Sequence, residues 1–230
     1  MIDILNNNSN QQTISDVITV NGIGLHSGIS VNMRLLPAEA DFGIKFYRTD
    51  IKSNNDIDAL WSNVTDTKLS TTISNKFGVK ISTIEHLMSA LSGLHIDNIK
   101  IEINGPEVPI MDGSSQEFVK LIDSMPLKKL DKKRKIIKIK KSIKVSKQDT
   151  SVELKPNKQF SIDFEIDFPS KVISKQSCQL QLINGNYKTD IASARTFGFE
   201  KDVHILRSNG LALGGSLENA VVVGDDKILN

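Results

Sequence analysis

Ser82-Thr83-Ile84-Glu85-His86-Leu87-Met88-Ser89-Ala90-Leu91, followed shortly by Ile99-Lys100-Ile101-Glu102-Ile103, is the stretch that decides the fold class. Ile84, Leu87, Met88, Leu91 and Leu94 recur at helical spacing, so one face of a helix is apolar. The five residues after it alternate strictly, as a strand with one buried face does. Working outward, strands are expected at Thr13–Val20, through Val31, Met33 and Leu35, and at Gly43–Arg48 and Lys68–Ile73. A glycine-punctuated turn lies at Asn21–Gly28. After the Pro- and Gly-bearing loop 104–113, a second helix is expected, with Ser114 as its cap and Glu117 three residues on.

The second half repeats the mixture. Strands are expected at Ile136–Val145, Ser151–Leu154, Phe160–Phe168, Cys178–Leu182 and Ala220–Val223, and a helix around Glu200–Asn209. The expected fold is α+β: two layered domains, each with strands and helices. The boundaries are residues 1–126, a linker at 127–134, and a second domain at 135–230.

Composition narrows the setting. The chain has 230 residues, 39% hydrophobic and 24% charged, which fits a globular protein. No apolar run approaches the ~18 residues of a membrane helix, and Met1–Gln12 is Asn/Gln-rich rather than a signal peptide. Cys178 stands alone, so an internal disulfide and a thiolate zinc cluster are both excluded. A reducing, cytoplasmic setting is expected. The net charge of +2 hides an asymmetry: residues 128–147 hold 11 Lys or Arg against Asp131, and the remainder carries a net −8. That stretch has no aromatic residue for base stacking, so a solvated basic strand face is favoured over a nucleic-acid site.

Glu85 and His86 carry the chemistry. Ser82-x-x-Glu85 reads as a capping box, which makes Glu85 structural. The same placement at a helix N-terminus biases His86 toward the neutral form a metal needs, with Glu85 beside it as a base. His26, His95 and His204 are not spaced to complete a compact ligand set, and a catalytic zinc takes about three protein ligands.

Six segments in order resemble one family. They are Gly22–Gly28, Ile81–Leu87, Gly93–Asn98, Pro109–Ser114, Ala194–Phe199 and Asn209–Ser216. The chain is similar, from about Thr13 to Asn230, to the zinc-dependent UDP-3-O-acyl-N-acetylglucosamine deacetylases of lipid A synthesis. The resemblance implies two layered β/α sandwich domains with the site between them, the second lacking its final helices here, and amide hydrolysis of that nucleotide sugar, with His86 as a Zn2+ ligand, Glu85 as general base and Thr196 donating to the oxyanion. It implies Phe197 beside the sugar, and Val203, Gly215, Ser216 and Val222 along a passage for the acyl chain. Asp112 reads as an acceptor of backbone amides, and His26 as a supporting residue.

Family members continue past the position of Asn230 into a helix bearing His-Lys-x-x-Asp, which supplies two more zinc ligands. The chain is therefore expected to be a C-terminally truncated member, inactive alone and exposing an apolar sheet face in its second half. The alternatives are a non-catalytic remnant that binds acyl chain or nucleotide sugar without metal, and complementation by a separate C-terminal fragment.

Overall fold

The computed structural model describes residues 9–182 and 185–230. Chain order runs β1 (Asn10–Ile14), β2 (Ile18–Ile23), β3 (Ser30–Pro37), β4 (Ile44–Arg48), β5 (Asp56–Asp58), β6 (Val64–Asp66), β7 (Thr72–Ser74), β8 (Lys80–Ile81), α1 (Glu85–Gly93), β9 (Ile99–Ile103) and α2 (Gln116–Asp123). It continues with β10 (Leu127–Lys133), β11 (Ile143–Lys147), β12 (Thr150–Leu154), β13 (Ser161–Asp167), β14 (Lys175–Gln181), α3 (Tyr187–Asp190), β15 (Phe197–Phe199), α4 (Glu200–Ser208) and β16 (Val221–Val223). The class is α+β.

A five-stranded sheet in the order β2-β3-β9-β4-β5 dominates the first half. Strand β9 runs antiparallel to β3 and parallel to β4, which puts Ile101 beside Leu35 and Phe46. Alternation sends Val31, Met33, Leu35, Phe46, Ile99, Ile101 and Ile103 inward, all essentially buried. Leu87, Ala90 and Leu91 of α1 and Phe118, Val119 and Ile122 of α2 join them in one core. The opposite face is polar and partly paired, with Glu102 holding Arg34 at 3.0 Å and Lys100 at 2.7 Å. This one-sided burial is what an alternating antiparallel pattern requires.

The expected Thr13–Val20 strand is two strands. Ser15-Asp16-Val17 breaks it, with the Asp16 carboxylate accepting the Val17 amide at 2.7 Å. After the break the chain changes partners: β1 pairs with β10 and β2 with β3. The expected Lys68–Ile73 strand begins only at Thr72, because Leu69 sits at φ +64° and cannot continue an extended chain. Within 127–134, Leu127–Lys133 form β10 and close onto β1. Of Ile136–Val145, only the last residues are strand: β11 starts at Ile143, where a partner in β12 is available.

The second half presents its strands in pairs. β11–β12 and β13–β14 are separate antiparallel hairpins, and β15 and β16 pair in parallel across α4. The junction between halves is built by Tyr187, whose hydroxyl meets Ser89 Oγ at 2.8 Å. Its ring lies against Gly93, at a point where any Cβ would collide with it. No helix among the described residues is long and apolar enough to cross a membrane.

Candidate functional site

Helix α1 opens on the Glu-His pair, and the way it opens corrects the capping-box reading. Ser82 continues the line of β8, giving its amide to Pro106 O at 2.9 Å and accepting the Val108 amide at 3.1 Å. Its hydroxyl also donates to Pro106 O, at 3.2 Å, rather than capping the helix. Thr83 then turns the chain at φ +56°, an unfavourable region for a β-branched residue. Its hydroxyl donates to Glu107 Oε1 at 2.8 Å in a fully buried setting, which helps offset a strain of order ~1–3 kcal/mol. The helix starts after this turn, so Ser82 lies too early to cap it.

Glu85, freed from the cap, receives the Thr71 amide on Oε2 at 3.0 Å. Oε1 has no hydrogen-bond partner among the described residues. His86 is half-buried, and burial pushes its imidazole below the ordinary value. The Glu85 carboxylate opposes that shift most, followed by the Ser114 backbone and Asp112. The neutral ring, the form able to ligate a metal, is thereby favoured.

Loop 110–115 joins this helix start to the second half. Ser115 Oγ donates to His86 O at 3.0 Å, and the Ser115 amide donates to Ala192 O at 3.0 Å. The Thr196 amide donates to Gly113 O at 2.8 Å, and Arg195 Nε donates to Asp112 O at 2.8 Å. Gly113, at φ +83°, has no room for a Cβ because Asn219 O occupies that position. Asp112 behaves as an acceptor for its own loop, taking the Ser114 amide at 3.0 Å and the Ser114 hydroxyl at 2.8 Å. Ser114 in turn accepts the Gln116 amide at 3.0 Å, whereas Glu117 turns to Lys120 at 2.7 Å instead of reaching back.

A second bridge runs through the glycine turn. Leu213 donates to His26 O at 3.2 Å and Gly214 to Leu25 O at 3.0 Å. His26 Nδ1 accepts the Ala212 amide at 3.4 Å, and its Nε2 is buried with no hydrogen-bond partner among the described residues. Glu107 holds this turn by accepting the His26 and Ser27 amides at 2.9 and 2.8 Å. Ser216 lines a groove of about 410 Å³ with Gly22, Ile23, Met111 and Gly214.

The remaining expected residues are more dispersed. Phe197 stands in an aromatic trio, with ring centroids 5.4 Å from Phe168 and 5.9 Å from Phe199. Val203 is half-buried on α4, Gly215 donates its amide to Ala212 O at 3.2 Å, and Val222 pairs with Gly198. His204 is exposed on α4. Sequence reasoning missed Thr83 and Glu107, which together brace the helix start. A carboxylate between Pro106 and Val108-Pro109 was the available signal, since an apolar, proline-rich setting buries it. Among the described residues no group of three or more His, Cys, Asp or Glu side chains is placed to hold a metal ion.

A family model described as "LpxC: UDP-3-O-acyl N-acetylglycosamine deacetylase" matches residues 11–230. A UDP-3-O-acyl-N-acetylglucosamine deacetylase of Nautilia profundicola is 49% identical over 220 residues, covering 96% of this chain and 74% of the relative. The protein of that name from Sulfurimonas denitrificans is 48% identical, with the same coverage. One from Shewanella violacea is 46% identical over 222 residues, covering 96% of this chain and 72% of the relative.

Proposed function

Because the chain belongs to the UDP-3-O-acyl-N-acetylglucosamine deacetylase family, we propose that it supplies the base and the oxyanion-binding side of a site that hydrolyses the N-acetyl group of UDP-3-O-acyl-N-acetylglucosamine. The observation that carries this is loop 110–115, which ties the start of α1 at His86 to Thr196 through Ser115 and Gly113. Two units, residues 1–126 and 135–230, each contribute reacting groups in this reading. A cytoplasmic setting accords with the unpaired, exposed Cys178.

The family resemblance implies Zn2+. His86 fits a ligand's role, being biased toward the neutral form by burial and set at the start of α1 beside loop 110–115, but the described residues do not make a full shell around it. The roles that follow are those of the chain's own groups. Glu85, held through Oε2, presents Oε1 to take the proton of a water as that water attacks the acetamide carbonyl. The carbonyl oxygen gains negative charge, and the Thr196 hydroxyl donates to it; such a donor is often worth ~3–4 kcal/mol in the transition state. The C–N bond then breaks as the amine takes up the proton that Glu85 received from the water, releasing acetate. Phe197 packs beside the sugar, while Val203, Gly215, Ser216 and Val222 line the acyl passage.

Residues 1–230 alone are expected to show no measurable acetate release with zinc and substrate. Release that Glu85→Ala abolishes would overturn that expectation of inactivity. Adding a separate piece that bears His-Lys-x-x-Asp should restore release in the wild type and not in Glu85→Ala. Restored release indifferent to Glu85 would sink its role as base. The second reading, a remnant that binds acyl chain or nucleotide sugar without metal, draws on the absence of a three-ligand group among the described residues. Stoichiometric zinc retained by the purified chain would exclude it.

A further inference from the structure

Left-handed backbone at non-glycine residues gathers around the Glu85–His86 pair and His26. Leu69, at φ +64°, shortly precedes Thr71, whose amide holds Glu85. Thr83, at φ +56°, turns the chain into α1. Met111, at φ +55°, lies in the loop that reaches His86 O through Ser115. Ala212, at φ +52°, gives its amide to His26 Nδ1. Such conformations persist where the surrounding contacts over-determine them. Glu107 is a contact that both sides of this cluster share.

Residues 106–110 run between the helix start and the glycine turn. On one side Ser82 gives its amide to Pro106 O at 2.9 Å and accepts that of Val108 at 3.1 Å. On the other, Gly24 bridges Pro109, and Ile23 O accepts the Ile110 amide at 3.0 Å. Glu107, between them, is 1% exposed. Its Oε1 accepts the Thr83 hydroxyl at 2.8 Å and the His26 amide at 2.9 Å, and its Oε2 accepts the Ser27 amide at 2.8 Å. All three partners donate, so the position suits a side chain that only accepts; a glutamine would turn its own N–H groups on a donor. The packing leaves no slack. A Cβ on Gly24 would collide with Glu107 Oε2, and one on Gly214 with Gly24 O.

We propose that Glu107 is a positioning residue: one buried carboxylate sets the Glu85–His86 helix start in register with the Leu213–Ser216 stretch of the second half. It acts through Thr83 on one side. On the other it acts through the His26 and Ser27 backbone, whose turn receives the Leu213 and Gly214 amides. The inference rests on the reading of Glu85 and His86 as reacting groups. Its test needs no turnover, so the failure of that reading and of this one are told apart.

A carboxylate that merely stabilised the first half would lower the urea midpoint when altered and leave the native geometry as it is. Nuclear magnetic resonance of the full chain, read where each variant is folded, separates the two roles. Thr83→Val removes the donor and keeps the branched shape. It should shift the His86 imidazole nitrogen resonances by more than a linewidth. It should also speed exchange of the Leu213 and Gly214 amides about tenfold or more, after correction for any change in global stability. Thr83→Ser, which restores the donor, should return both signals to wild-type values. Glu107→Gln should move both ends at once; if it does not fold, the Thr83 pair decides. Signals that move at neither end, or at His86 alone, overturn the proposal. So does a Thr83→Ser chain that behaves like Thr83→Val.

Discussion

Strand β9 alternates Ile99, Ile101 and Ile103 with Lys100 and Glu102, and strand β13 alternates Ile162, Phe164 and Ile166 with Asp163 and Glu165. The pleat is the same in both. β9 lies between β3 and β4 and beneath two helices, so its three isoleucines are 0% exposed. Among the described residues β13 has β14 as its only strand partner, and Phe164 is 60% exposed. Alternation therefore decides which way a side chain points, while burial depends on what stands opposite. The core belongs almost wholly to the first half; Tyr187, Ala192, Leu182 and Ile191 are the second half's share of it.

The largest expected effect tests that contrast directly. Ile101→Ala should cost ~2–5 kcal/mol, read as a lowered urea midpoint, because it opens a cavity in a packed site. Phe164→Ala, which removes an exposed ring, should stay within about 0.5 kcal/mol. Equal costs would mean that the β13 face is covered in solution, and the contrast between the halves would fail.

Much of this contrast was legible beforehand, and the reasons are local. The buried stripe of α1 and the alternation of β3 and β9 are periodic signals that a packed sheet and helix then enforce. The Glu-His pair was found because two reactive side chains adjoin in sequence. Its support was not legible, because Thr83, Glu107 and the Thr71 amide converge from separate segments and owe their contacts to a left-handed turn at a residue type that normally avoids it. The capping box failed for the same reason: its sequence pattern is satisfied, but Ser82 is already engaged with Pro106. The alternation at Ile136–Lys140 misled because a strand needs a neighbour, and the first one appears only at Ile143.

An intermediate effect is expected at the junction. A methyl on Gly93 would collide with the Tyr187 ring, so Gly93→Ala should cost ~1–3 kcal/mol by overpacking. Hydrogen exchange should rise around residues 187–192 while β9 stays protected. Tyr187→Ala in the same chain should cancel most of the steric cost, making the double variant more stable than additivity allows. Strict additivity, or uniform loss of protection in β9, would show that the second half is not docked through this contact.

The smallest effect separates the halves by pH. His95 follows α1 at φ +60°, and burial pushes its imidazole below the ordinary 6.5, with Arg134 adding to the shift and Asp97 opposing it. Above that value both folded and unfolded chains hold the ring neutral, so no difference arises. As pH falls through about 6.5 the unfolded chain takes up a proton that the folded ring resists, and stability declines until the folded value is reached. His86 acts in the same direction. His95→Asn, which keeps a residue tolerant of the left-handed conformation, should flatten part of that slope. Because both rings lie in the first half, slow exchange of the α1 and β9 amides should follow the pH-dependent loss. Exchange of the β13 amides, corrected for its intrinsic pH dependence, should not. A matching loss in β13 would mean that the two halves unfold as one cooperative unit despite their unequal cores.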